Sequence, residues 1–241
     1  MIVAQTDSRP APPQPSPIGE GARAELPFFH RNTADLSVVI PVGPGDRAWP
    51  ALAAALDALA PNLDVLLVFA RGDVQARPKD RRWIEGRPGR AAQQNLGARA
   101  TAGATLWFLH ADTLIDAAAL EAARDFARLG SRAIGYFALR FGDGPALMRV
   151  TELGVKLRCR WFGLPFGDQG LLLPRSVFDG LGRFDERTQF GEDMALVRRA
   201  RRAGIALQSL PATISTSARK YVQHGWWRTT WRHLRLTWGR A

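Results

Sequence analysis

One cysteine, Cys159, stands in the 241-residue chain. No intrachain disulfide is available, which suits a reducing compartment. No apolar run reaches the length of about eighteen residues that spans a bilayer. Acidic residues are missing from the C-terminal fifth: Asp193 is the last, and every charge after it is positive, from Arg198 through Lys220 to Arg240. The opening residues, MIVAQTDSRPAPPQPSPIGE, have neither a basic start nor an apolar stretch, so no secretory signal is expected and a cytoplasmic setting is. No internal repeat is found.

Against these absences, hydrophobic residues at 46% are enough for one sizeable core. Lys and Arg total 33 against 22 acids, a net charge of +11, which suits a nucleotide, a nucleic acid or an acidic lipid surface. The Pro-rich residues 1–33 bury too little surface to order themselves and are expected to form a disordered arm. Residues 34–220 are expected to form the folded domain, and 221–241 a basic, Trp-rich tail.

From Leu36 the pattern alternates strand and helix. LSVVIPV (36–42) and DVLLVFA (64–70) are short apolar runs of the kind buried on both faces of a sheet. RAWPALAAALDALA (47–60), GRAAQQNLGARATAG (89–103) and IDAAALEAARDFARLG (115–130) are helical in composition, and Gly103 is a fitting stop for the second. RGDVQARPKD reads as a loop. AIGYFALRF (133–141) reads as a strand and PALMRVTELGVKLRCRWFG (145–163) as a basic amphipathic helix. GEDMALVRRARRAG (191–204) opens on acids and closes on Arg and Gly, matching the helix dipole at both ends. This alternation predicts a parallel sheet flanked by helices, with ligands beyond the carboxyl ends of its strands. LWFLHADT (106–113) places His110 and Asp112 at such an end. Read as one strand, it points both side chains the same way, roughly 6–7 Å apart.

In this order, LSVVIPV, GRAAQQNLGARATAGATLWFLHADT, FGDQGLLLPRSVFDGLGRFDE and GEDMALVRRARRAG resemble the family 2 glycosyltransferases of GT-A fold, over about residues 36–220. FLHADT, FGDQG and TSAR together resemble a small bacterial subgroup labelled arsenosugar-type or radical-SAM-associated transferases. The resemblance implies a Rossmann-like, mostly parallel sheet and transfer of a sugar from a nucleoside-diphosphate sugar to an unknown acceptor, with inversion. It also implies Mn²⁺ or Mg²⁺ on the diphosphate, held by an Asp-x-Asp-like motif that reads His110-Ala111-Asp112 here. Asp112 matches the metal-binding acid. His110 stands where the other acid would be, either as a ligand that suits Mn²⁺ better than Mg²⁺ or as a donor to ribose or phosphate. His224 is a weaker third ligand.

The same resemblance implies Asp193 as the base that deprotonates the acceptor, with Glu192 its alternate. Donor and acceptor contacts are implied at Pro41, Asp73, Gly89, Arg90, Gln94, Asn95, Asp168, Gln169 and Arg219. Arg90 and Arg219 would neutralise the diphosphate. Two places depart from the family pattern: PVGPGD and VFARGD offer only displaced acids, Asp46 and Asp73, for the nucleoside.

On a helical wheel the tail sets Trp227, Trp231, Leu234 and Trp238 on one stripe flanked by Arg228, Arg232 and Arg235. That arrangement fits an anionic membrane surface, making the protein peripheral on the inner face of the cell membrane, or docking onto a protein surface. Two rival functions share the sequence facts. One is a nucleotidyltransferase on the same fold. The other is a non-enzymatic nucleic-acid binder, which the absence of any recognised nucleic-acid module disfavours.

Overall fold

A computed structural model describes residues 35–188 and 190–218. The arm at 1–33, the tail at 221–241, Arg219 and His224 lie outside these residues. All described residues belong to a unit spanning 33–241. In chain order the elements are β1 (Leu36–Val42), α1 (Trp49–Leu59), β2 (Asp64–Ala70), β3 (Trp83–Gly86), α2 (Arg90–Ala100), β4 (Thr105–Phe108) and β5 (Thr113–Leu114). After them come α3 (Ala117–Leu129), β6 (Ala133–Phe141), α4 (Met148–Phe162), β7 (Leu172–Pro174), α5 (Arg175–Gly180), α6 (Glu192–Arg202) and β8 (Ala206–Thr216).

The eight strands form one sheet in the order β3-β2-β1-β4-β7-β6-β8-β5. β1 is buried at all seven positions because it lies inside the sheet with helices on both faces. Val38, Ile40 and Val42 pack on one side with Leu52 and Leu56 of α1 and with Leu120 and Phe126 of α3. Val39 faces the other side, where Ala98 of α2, Phe178 of α5 and Leu196 of α6 form a second core. Helix α2 comes close enough to the sheet that a Cβ on Gly97 would lie 2.3 Å from Val39 Cγ1, so glycine there is a packing requirement. Pro41 is tolerated in an inner strand because β1 pairs with β4 only from Leu36 to Val39, and the missing N–H falls past that ladder.

The expected mostly parallel sheet is present, and one expectation, a single strand over 106–113, is corrected. The sheet is mixed: β3-β2-β1-β4 run parallel, but β7 is antiparallel to both β4 and β6, and β5 is antiparallel to β8. The stretch after RGDVQARPKD holds an edge strand, β3, and IALQSLPATISTS holds β8, parallel to β6. Finally, 106–113 is not one strand. β4 ends at Phe108, Leu109 donates the last bond to the Val39 carbonyl at 3.2 Å, and Thr113 N–H closes a turn on the His110 carbonyl at 3.0 Å. The chain turns there because Thr113 and Leu114 pair instead with Thr216 and Ser215. His110 and Asp112 therefore do not share one face of a strand.

Candidate active site

Residues from four segments meet beyond the end of β4. Gly89 caps α2 with φ 127° and ψ 125°, a conformation that side-chain-bearing residues rarely adopt. It turns the chain so that Arg90 opens the helix. The Arg90 Nε donates to Glu192 Oε1, the first residue of α6. Its Nη1 lies 3.2 Å from His110 Nε2. Arginine has no acceptor, so that contact uses the imidazole lone pair and puts the His110 proton on Nδ1.

Asp193, the next residue of α6, accepts from the Met194 N–H at 2.7 Å through Oδ1 and from the Gly167 N–H through Oδ2. Gly167 begins the 3₁₀ turn Gly167–Gln169. A Cβ there would fall 2.9 Å from Asp193 Oδ2 and 3.0 Å from His110 Nε2. The turn thus brings a carboxylate and an imidazole together across a backbone that only glycine lets so close.

The charges are unequal. One guanidinium faces Glu192 and Asp193, and feels Asp168 as well. Burial works against the charged form of Arg90, but Glu192, Asp193 and Asp168 outweigh it and hold its pKa above the ordinary value. Burial pushes the Glu192 carboxyl up from its usual range; Arg90 pulls it back, and the neighbouring Asp193 charge adds to the rise. Glu192 is 2% exposed, whereas Asp193 is partly open. Of the two acids, Asp193 is the one a substrate can reach.

Several other site candidates serve the fold. Gln169 is buried: its Nε2 donates to the Phe137 carbonyl at 2.9 Å, and its Oε1 accepts from the Phe166 N–H at 3.1 Å, Arg158 Nη2 at 3.2 Å and the Cys159 thiol at 3.2 Å. Asn95 is also buried, exchanging bonds with the Phe184 backbone at 2.9 and 3.1 Å and donating to Glu186 at 2.9 Å. Arg90, read from sequence as a fork for phosphate, has two of its nitrogens turned to Glu192 and His110.

Asp73 ties two loops together, accepting from Gln75 Nε2 and from the Gly45 N–H at 3.4 Å. The Gln75 side-chain bond holds its carboxyl below the ordinary range. Gln94 is buried, and its Oε1 lacks a hydrogen-bond partner among the described residues. Gln93, which no motif singles out, donates through Nε2 to the Val42 and Val68 carbonyls at 2.8 and 2.6 Å and joins the ends of β1 and β2. A buried glutamine among alanines was the only signal for it.

Asp112 faces a different space, a cleft of about 470 Å³ lined also by Arg47, Thr113, Asp143, Thr216 and Ser217. Asp143 is engaged there by the Ser217 hydroxyl at 2.9 Å and the Ala218 N–H. Among the described residues no three His, Cys, Asp or Glu side chains converge as a metal cage. The donor set still suits Mg²⁺, which commonly takes one or two carboxylates and completes its shell with phosphate and water. His110 does not fit beside Asp112 as the second ligand, since its Nε2 is turned to the Arg90 guanidinium.

An open parallel-centred sheet, helices on both faces and a polar site beyond the strand ends together define a GT-A-like, Rossmann-type α/β fold. Among solved structures, S. aureus TarS 1–349 matches with a TM-score of 0.58 at 14% identity, over 76% of this chain and 60% of that one. The chain thus spans three fifths of the TarS structure, and the likeness is one of fold. No protein-family model matches the chain, and no curated protein matches it. Among the described residues no helix is long and apolar enough to cross a membrane.

Proposed function

We propose that the chain is a glycosyltransferase that moves a sugar from a nucleoside-diphosphate sugar to an acceptor with inversion at the anomeric carbon. The observation that carries this reading is the meeting of Asp193 and His110 at Gly167, beyond the end of β4. The fold it shares with TarS is the one expected of the glycosyltransferases that its motifs resemble. The narrower resemblance, to the arsenosugar-type or radical-SAM-associated subgroup, belongs to the same proposal and implies no particular substrate.

In this mechanism Asp193 takes the proton from the acceptor hydroxyl as its oxygen attacks the anomeric carbon from the side opposite the diphosphate. The bond from that carbon to the phosphate oxygen breaks, and the leaving diphosphate keeps the electron pair. The Gly167 and Met194 N–H groups fix the Asp193 carboxylate in place. Arg90 acts through Glu192 and His110: it holds the buried carboxyl at the base of α6 and sets the tautomer of His110. Gln94 and the open backbone at Gly89 are the donor contacts. A divalent cation, when bound, neutralises charge on the diphosphate; Asp112 would hold it. Arg219 and His224 retain their proposed parts as a diphosphate cation and a further ligand, and the tail at 221–241 its proposed part at an anionic membrane.

The test is turnover of a panel of nucleoside-diphosphate sugars with Mn²⁺, before and after chelation, read as release of nucleoside diphosphate. Asp193→Asn should lower kcat by about 10²–10⁴-fold while nucleoside diphosphates still raise the melting temperature by mass action. A folded sample whose melting temperature no nucleotide sugar moves would end the proposal. Release of pyrophosphate would replace it with nucleotidyl transfer.

A further inference from the structure

Among the described residues, exposed apolar side chains concentrate on helix α4. Five of the ten large hydrophobic side chains exposed among the described residues fall between positions 147 and 162: Leu147, Val150, Leu153, Trp161 and Phe162. Trp161 alone is 68% exposed. At 100° per residue, Leu147, Val150, Leu153, Leu157 and Trp161 occupy an arc of about 120°. Arg149, Lys156 and Arg160, all exposed, line one edge of that arc, about 20–60° beyond Leu153. The opposite side of the helix packs inward through Met148, Val155 and Cys159, and these touch only small satellite clusters with Leu139 and Ala218 rather than the two main cores. Glu152, the helix's one acid, is turned to the Phe141 N–H at 2.8 Å.

A single exposed leucine needs no explanation, but a continuous stripe rimmed on one side by cations does. We propose that α4 is an interfacial helix that lies in the headgroup layer of an anionic membrane. Leucine, valine and Trp161 enter the acyl boundary, and Arg149, Lys156 and Arg160 bridge to lipid phosphates with their stems along the apolar surface. Trp161 sits at the end of the stripe, as an indole suited to the interface does. A membrane is the better fit because the cations stand in one row along the edge of the apolar stripe, the order in which headgroup phosphates meet the acyl boundary, and no exposed acid on α4 opposes an anionic surface. This surface is separate in sequence from the tail at 221–241 and does not depend on the chemistry proposed for Asp193. It does adjoin it: Arg158 of α4 donates to Gln169 and lies 3.4 Å over the Phe166 ring, beside the turn that carries Gly167.

The experiment is co-sedimentation of the full chain with phosphatidylcholine vesicles, with and without phosphatidylglycerol. Three proteins are compared: wild type, Arg149→Gln/Lys156→Gln/Arg160→Gln, and Leu153→Ser/Trp161→Ser. All substituted positions are exposed, and far-ultraviolet circular dichroism with a thermal melt checks the fold. Binding should require the anionic lipid and fall about fivefold for each basic residue removed at low salt. The apolar pair should lower it at least tenfold, and brominated lipid should quench wild-type tryptophan emission more than that of Trp161→Phe. Equal binding by all three proteins, or equal binding to neutral vesicles, overturns the proposal. So does binding lost on deleting 221–241 while the α4 variants match wild type. A wild-type dimer that the Leu153→Ser/Trp161→Ser variant converts to monomer, without lipid binding in either, would assign the face to a second copy of the chain instead.

Discussion

Replacing Arg90 with methionine keeps most of the side-chain length and removes the guanidinium that faces Glu192 and Asp193. Glu192 is 2% exposed and the Arg90 side chain 35%, so the two partners differ in what they can do alone. An abandoned guanidinium at this position can hydrate, but an abandoned Glu192 cannot. Truncating one partner of a fully buried pair costs about 3–5 kcal/mol; discounted for the open third of Arg90, about 2–3 kcal/mol is expected for Arg90→Met. Glu192→Gln should cost only about 1 kcal/mol. The double variant should recover about 1 kcal/mol of the Arg90→Met loss, a coupling that independent sites would not show.

The pH dependence has a definite sign. Glu192 has a folded-state pKa raised above the ordinary 4.5. Its stabilising contribution is therefore complete below that value and is lost as pH climbs through the folded-state pKa. Arg90 lowers that pKa, so removing it raises the folded-state value further. The Arg90→Met penalty must then widen with rising pH and narrow toward about pH 5, whereas the Glu192→Gln protein has no carboxyl there to titrate. Urea unfolding at about pH 5 and about pH 8, with slopes checked for constancy, measures both effects. A penalty for Arg90→Met that is smaller than that for Glu192→Gln, or flat between the two pH values, would refute the burial argument.

Gly167→Ala should place a methyl 2.9 Å from Asp193 Oδ2 and 3.0 Å from His110 Nε2 and lower kcat by about tenfold to a hundredfold; unchanged turnover would separate Gly167 from the chemistry. Asn95→Ala should lose about 2–3 kcal/mol by denaturant titration, because three bonds to Phe184 and Glu186 disappear from a buried site. If instead it weakens nucleoside-diphosphate binding at wild-type stability, Asn95 is a donor contact after all. Gly97→Ala should be destabilised by about 1–3 kcal/mol or fail to fold, since its Cβ would meet Val39 and Val68 at 2.3 and 3.0 Å.

The inner strands and the helices were legible because one rule governs them. β1 and β2 sit where both faces are covered, so their apolar runs need no alternation, and their bounds agree with the residues quoted from the sequence. Helix α3 was equally plain: Asp116 caps it by accepting from the Ala119 N–H at 2.9 Å, and Gly130 closes it with φ 59°. β8 was not legible. It pairs with both β6 and β5, yet its burial alternates irregularly, Pro211 interrupts it, and a register shift opposite Tyr136 and Ala138 breaks its periodicity. β3, an edge strand of four residues beginning at an exposed Trp83, gave too short a pattern to stand apart from its loop.

The misreading of β5 had consequences at the site. LWFLHADT looks like one strand because its apolar run is unbroken up to His110, but Thr113 and Leu114 are held by Thr216 and Ser215, a pairing about a hundred residues distant that no local pattern encodes. With that turn in place, His110 faces Arg90 and Gly167, and Asp112 faces the cleft beside Arg47 and Asp143. The two polar residues that looked like a single metal grip divide between two places: one in the carboxylate-rich nook that holds Asp193, the other on the cleft lined by Arg47 and Asp143. That division follows from strand pairing rather than from composition. It is why the strand end carrying His110 and Asp112 was readable from sequence while the separation of the two side chains was not.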